Sequence, residues 1–317
     1  MELEPTGVEK RSLTVKAIGL DLGFSDVGIA PPGPFDDMNH FERWLDNGYH
    51  GEMGYLERAR QRRLVPESSL AGVQNVIVAA LDYNSDYPLS TEVVRDPERG
   101  WISRYAWGDD YHIVIEKMLD AWCERLKANW PENHFRRYVD HGPVLEKAYA
   151  RYAGIGWMGK HTNIIHPERG SWFFLAVILT DLELVADTPL PDRCGSCTAC
   201  LDACPTNAFV QPYVLDATRC ISYLTIESKS EIPSEFHEDM EQNIFGCDIC
   251  QDVCPWNKKP IATNHPAFVP RAGAFQPKLD ELAQMDVETF RERFRRSPVK
   301  RRKLDGLKHN VQVVRDS

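Results

Sequence analysis

Residues 194–205 read CGSCTACLDACP, and residues 247–255 read CDICQDVCP. The first run is Cys194-x2-Cys197-x2-Cys200-x3-Cys204-Pro205. A triplet this tight lets three thiolates wrap three irons of one cubane from a single loop, while the cysteine before proline turns away to ligate a second cluster. The second run, Cys247-x2-Cys250-x3-Cys254-Pro255, lacks one member of the pattern, and Cys220 supplies it from a distance. Eight of the nine cysteines are then used, four per [4Fe–4S] cluster. The pattern assigns Cys194, Cys197, Cys200 and Cys254 to one cluster, and Cys204, Cys220, Cys247 and Cys250 to the other. Structural zinc also uses C-x2-C pairs. A tight triplet together with a Cys-Pro ending that occurs twice favours iron–sulfur. The ninth cysteine, Cys123, stands beside Trp122 and near Leu126, where a free thiol serves as a small buried hydrophobe.

Working outward, 193 residues precede the first cysteine of this set, far more than an electron carrier needs. Something in that body must receive the electrons. A chain of 317 residues suggests about two domains. Hydrophobic content of 43% and charged content of 26% are ordinary for a globular protein. No apolar run approaches the ~18 residues of a membrane span, and the acidic, polar start has neither a signal h-region nor a twin arginine. A cytoplasmic protein is expected, in which cysteines serve as metal ligands rather than disulfides. Net charge is −10, which argues against indiscriminate nucleic-acid binding. Residues 291–308, however, carry a local surplus of seven positive charges, which points to one localised anionic contact.

Hydrophobic periodicity predicts helices over 8–22, 36–47, 55–64 and 109–127, with Phe41, Trp44 and Leu45 on one face of the second. Strands are expected at 27–30, 73–81 and 171–180, with another ending at Tyr138–Val139. Pro143 reads as the first residue of a helix closed by Gly154. Two further helices are expected at 278–294 and 298–311. The fold class is α+β: a body over 1–185, a double-cluster module over 186–262 and a basic helical tail over 263–317.

The richest segment without cysteine is DHGPVLEKAYARYAGIGWMGKHTNII, residues 140–165, continued by GSWFFLA at 170–176 and LTDLEL at 179–184. Gly154, Gly156 and Gly159 permit close backbone approach, either to a ligand beside Lys160, His161 and Thr162 or to another strand. This segment, the cysteine runs and WLDNGYHGEMGYLERARQRRL at 44–64 together resemble the epoxyqueuosine reductase family, from near residue 15 to the C-terminus. The resemblance implies a nitroreductase-like, cobalamin-binding body with a ferredoxin-like module of two [4Fe–4S] clusters, similar in architecture to reductive dehalogenases. It implies reduction of an epoxide on the wobble base of tRNA to an alkene, the last step of queuosine synthesis. Asp140 matches the family's proton donor, and that role leads us to expect a carboxyl whose pKa is raised by burial. His141 is a candidate relay. The implied cobalamin pocket draws on Arg63, Asp140, Lys160, Thr162, Asn163, Ser171, Ser222, Tyr223 and Asp248, with Arg62 beside it. Arg301, Arg302 and Lys303 are the expected tRNA contacts. Longer members continue past the segment matching 297–310 into HEAT-like repeats, so the tail here is expected to be truncated. The partners implied are tRNA and an unidentified cytoplasmic electron donor, with a monomeric chain and no membrane. A dehalogenase-like enzyme acting on a small molecule and a non-catalytic electron carrier remain the alternatives.

Overall fold

The computed structural model describes residues 6–258 and 261–317; the acidic start of the sequence, residues 1–5, lies outside them. Helix α1 (Gly7–Asp21) opens with a capping box in which the Thr6 side chain accepts from Glu9 N and the Glu9 carboxylate reaches back to Thr6 N. The centre is an antiparallel sheet of β1 (Asp26–Ala30), β2 (Asn75–Asp82), β3 (Phe135–Tyr138) and β4 (Phe173–Thr180), in the order β1-β2-β4-β3. β2 and β4 pair along their whole length, from Asn75 opposite Thr180 to Asp82 opposite Phe173.

Every residue of β2 is buried, which explains why its sequence is apolar without alternation: both faces are covered. Ile77, Ala79 and Leu81 face α1 and α2 (Tyr111–Asn129), meeting Val15, Ile18, Leu119 and Trp122. Val76, Val78 and Ala80 face the other way, against Tyr149 and Ala150 of α3 (Glu146–Tyr152). The end of α3 approaches β1 so closely that a Cβ on Gly28 would lie 2.0 Å from Ala153 O. Only glycine admits that contact.

Several expectations are corrected. Pro143 does not open the helix; α3 starts at Glu146, and Pro143 lies in the bend before it. The helix expected over 55–64 is two short ones, Gly54–Arg58 and Arg60–Leu64. The one expected over 278–294 also divides, because Asp286 accepts from Thr289 N and caps a second helix, Val287–Arg293. The last begins as a 3-10 turn, Pro298–Arg302, before α4 (Lys303–Asp316).

The three-part division of the sequence is not a division of the core. One apolar cluster unites Trp101, Ile102 and Trp107 of the body with Leu224 and Phe245 of the module and Leu279 and Val311 of the tail. Asn243–Phe245 also pairs in parallel with Trp101–Ile102. Cysteine loops carry few apolar side chains, so the module shares a core with its neighbours.

Candidate active cleft and cluster cavities

Cys194, Cys197 and Cys200 come from one loop and the short helix Ala199–Asp202, and Cys254 follows the helix Ile249–Asp252. These four line a single cavity of about 380 Å³ with His161, Arg193 and Trp256. Thiolates sharing one zinc at ~2.3 Å would close on the ion. A ring of four around a cavity suits a cubane instead. In the remaining set, Cys250 feels Cys220 and Cys204, and Cys247 feels Cys250 and Cys220. Burial, and then the charges of Cys220 and Cys204, push the Cys250 thiol well up; burial with Cys250 and Cys220 does the same to Cys247. Cys250 also feels Cys200, so the two sites adjoin.

A hairpin from the body, Trp157–Met158 paired with Ile164–Ile165, carries its tip into the first cavity. A Cβ on Gly156 would lie 2.3 Å from Ile165 O, so that glycine serves strand approach rather than a ligand. Lys160 Nζ donates to Gly195 O at 2.7 Å and Cys197 O at 2.8 Å, binding the hairpin to the cluster loop. His161 is 2% exposed; its Nδ1 accepts from Asn163 N, and burial lowers its pKa to about 4.

The body and module are further joined by residues between the cluster ligands. Asp248 is 1% exposed and accepts from Trp101 Nε1 at 2.9 Å, Ser103 Oγ at 2.5 Å and Arg104 N at 2.8 Å. Asn257 Oδ1 accepts from Ser171 N at 2.7 Å, and Ser171 Oγ donates to Gln251 Oε1.

A second site lies where the N-terminus of α2 meets the loop before α3. Asp140 takes a left-handed backbone, φ 52°, and its N–H donates to Glu146 Oε1 at 2.6 Å. Tyr111 Oη donates to Asp140 Oδ2 at 2.7 Å, and His112 Nε2 lies 3.3 Å from the same oxygen. On its other side His112 Nδ1 lies 2.8 Å from Oδ1 of Asp110, the residue that caps α2. Asp140 is 55% exposed at the side chain yet strongly desolvated, as in the wall of a deep open cleft.

Burial raises the Asp140 pKa, but the hydrogen bonds from His112 and Tyr111 and the charges of His112 and Arg301 outweigh it and hold it at about 2. This reverses the expectation of a raised value. Burial lowers His112, but Asp110 and Asp140 lift it to about 9. Glu146 is pushed up to about 8 by burial and by the charge of Asp140. Tyr55, Arg63 and Arg301 all fall within the field of Asp140. One cleft therefore gathers residues from four distant stretches of chain.

Of the expected cofactor residues, Arg63 is 6% exposed in this cleft; its Nη1 donates to Val144 O and its Nε is buried without a partner. Arg62 is exposed. Thr162 O and Asn163 Oδ1 both accept from Lys147 Nζ. Lys160, Ser171 and Asp248 each engage the protein through the hydrogen bonds described above. Tyr223 Oη accepts from Glu52 N at 2.7 Å and braces the loop through Gly51; Ser222, beside it, is half-buried. His141 is exposed, with Nε2 3.7 Å from Glu116 Oε1. In the tail, Arg301 pairs with Glu227 at 2.8 Å. Arg302 turns inward to Ser228 O and Asn310 Oδ1. Lys303 is exposed. Sequence reasoning missed Tyr111, His112 and Glu146; the signal was an Asp-Tyr-His start to a helix expected from 109 and found from Tyr111.

A carboxylate site on a sheet body, sharing a core with a cysteine-rich module, defines a class: an iron–sulfur oxidoreductase. Residues 193–257 match a family described as "4Fe-4S double cluster binding domain", and residues 63–141 match "Epoxyqueuosine reductase QueG, DUF1730". An epoxyqueuosine reductase of Leadbetterella byssophila is 42% identical over 308 residues, covering 96% of this chain and 98% of the relative. The fold is similar to a crystal structure of epoxyqueuosine reductase with a tRNA-Tyr epoxyqueuosine-modified stem loop, with TM-score 0.89, 31% identity, and 96% and 80% of the two chains covered. It is also similar to the Bacillus subtilis enzyme with its catalytic aspartate loop swung out of the active site, with TM-score 0.85, 30% identity and 96% and 81% covered. The chain belongs to the epoxyqueuosine reductase family.

Proposed function

We propose that this chain reduces the epoxide of epoxyqueuosine at the wobble position of tRNA to the alkene of queuosine, using electrons from two [4Fe–4S] clusters and a bound cobalamin. The observation that carries the reading is Asp140: a carboxylate held by two donors in a cleft whose walls also bear Arg63 and Arg301. Cobalamin, when bound, supplies the electron-rich cobalt that opens the C–O bond. The partnerless Arg63 Nε suits an amide oxygen of the corrin periphery. The nitroreductase-like description of the body belongs to the same reading, as do a cytoplasmic setting, a separate electron donor and a monomer.

The cysteine sets serve as assigned by spacing, one around the cavity of Cys194, Cys197, Cys200 and Cys254, the other formed by Cys204, Cys220, Cys247 and Cys250. Asp140 protonates the oxygen released from carbon. Asp140 stands in a left-handed loop conformation, and the structure of the similar Bacillus subtilis enzyme has its catalytic aspartate loop swung out of the active site, which together support a carboxyl on a movable loop. Substrate closing over the carboxyl removes water from it and favours its acid form. Lys300 and Lys303, both exposed, present charge to the phosphates.

The test is single-turnover reduction of an epoxyqueuosine stem loop by pre-reduced holoenzyme. Asp140→Asn removes the transferable proton, and the rate should fall about 10²- to 10⁴-fold, with cluster and corrin absorbance and stem-loop affinity retained. Conversion at the wild-type rate would exclude Asp140 as the donor.

A further inference from the structure

Converting an epoxide to an alkene takes two electrons and two protons and releases one water. One proton reaches the oxygen as the first C–O bond breaks; the second arrives when the resulting hydroxyl leaves. A single carboxyl carries one. We propose that His112, held by Asp110, is a relay that loads Asp140 with a proton twice in each turnover. The inference rests on Asp140 being the donor.

The geometry is linear. His112 Nδ1 is 2.8 Å from Asp110 Oδ1 and Nε2 is 3.3 Å from Asp140 Oδ2. Both ring nitrogens face carboxylate oxygens, and both can donate only in the imidazolium. The proton of the pair therefore rests on His112, in keeping with the opposite displacements of the two groups to about 9 and about 2. Nε2–H passes its proton to Asp140 Oδ2. The imidazole is left neutral with its remaining proton on Nδ1, bonded to Asp110. Asp140 gives the proton to oxygen and returns to carboxylate. His112, 23% exposed, then regains a proton at Nε2 from water.

The neighbours do not offer an equal substitute. Tyr111 stacks on His112, with ring centroids 4.1 Å apart, and shares Asp140 Oδ2. Burial raises its phenol well above the ordinary value, so it orients the carboxylate and keeps its proton. From the loop before α3, His141 stands with its ring 5.3 Å from that of His112 and its Nε2 near Glu116. Glu146 is committed to Asp140 N. Arg301, from the tail, adds positive charge that favours the carboxylate form of both Asp110 and Asp140.

Single-turnover rates of the pre-reduced holoenzyme on saturating stem loop, measured from pH 6 to 10, test this. The wild-type rate should fall above about pH 9, as His112 loses its proton. His112→Gln should lower the plateau by about 10²-fold, the lower end of general-acid effects, and abolish that alkaline limb. Asp110→Asn keeps the imidazole but removes its partner; the limb should move down by about 1 to 2 pH units. A merely structural role would move neither. A wild-type profile in His112→Gln, or an unmoved midpoint in Asp110→Asn, overturns the relay. So does a loss confined to stem-loop affinity. If His112→Gln fails to keep its clusters, the Asp110→Asn midpoint decides. Asp140→Asn separates the two readings: if it is inactive while His112→Gln is normal, only the relay fails; if it retains the wild-type rate, the donor assignment fails and the relay with it.

Discussion

Replacing Asp248 by alanine should cost this protein much of its stability without touching the chemistry. The carboxylate is 1% exposed and accepts from three donors: Trp101 Nε1, Ser103 Oγ and Arg104 N. Ser103 can turn its hydroxyl elsewhere, but the indole and backbone N–H groups cannot. Two stranded buried donors at about 1 to 3 kcal/mol each cost about 2 to 6 kcal/mol, against a total stability of about 5 to 15 kcal/mol. Asp248→Asn retains one accepting oxygen and sets an N–H against the donors, so its cost should be smaller, about 1 to 3 kcal/mol. The assay is anaerobic urea unfolding of cluster-loaded protein, followed by far-ultraviolet circular dichroism and cluster absorbance together. Corrin binding by Asp248→Asn should match wild type. A shift of less than about 0.5 kcal/mol in Asp248→Ala, within the range of ordinary surface changes, would refute the argument. Loss of corrin from a fully stable Asp248→Asn would support the reading of Asp248 as a cofactor contact.

Two further outcomes follow from the same geometry. Cys254→Ala should reduce the iron content from about eight to about four per chain, removing the cluster that shares a cavity with Cys194, Cys197 and Cys200; an unchanged count would break the crossed assignment. Replacing Lys300 and Lys303 by alanine should flatten the salt dependence of stem-loop binding, by about 0.7 to 0.9 in log–log slope for each phosphate no longer neutralised. Arg302→Ala should leave that slope alone and lower stability instead, because its guanidinium holds Ser228 O and Asn310. A slope altered by Arg302→Ala alone would reverse this division.

The double-cluster module, the sheet strands and the long helix Tyr111–Asn129 were legible in the sequence because each depends on spacing within a short stretch of chain. Thiolate spacing and a two-residue or 3.6-residue apolar period need no partner from afar to leave their mark. Asp140 was legible through resemblance, but its protonation was not. A carboxyl alone in a cleft would be pushed up by burial; here Tyr111 and His112, about thirty residues earlier in the chain, reverse the sign. The basic tail was legible as a charge surplus, yet only packing decided that Arg302 points inward, Arg301 joins the field of the cleft and the lysines face solvent. Asp248 shows the same division: its place between two cluster ligands is a fact of sequence, whereas its three donors come from residues 101–104. Cluster motifs and element types follow from local chemistry. The direction of a side chain and the charge it carries are sums over neighbours that only the folded chain brings together.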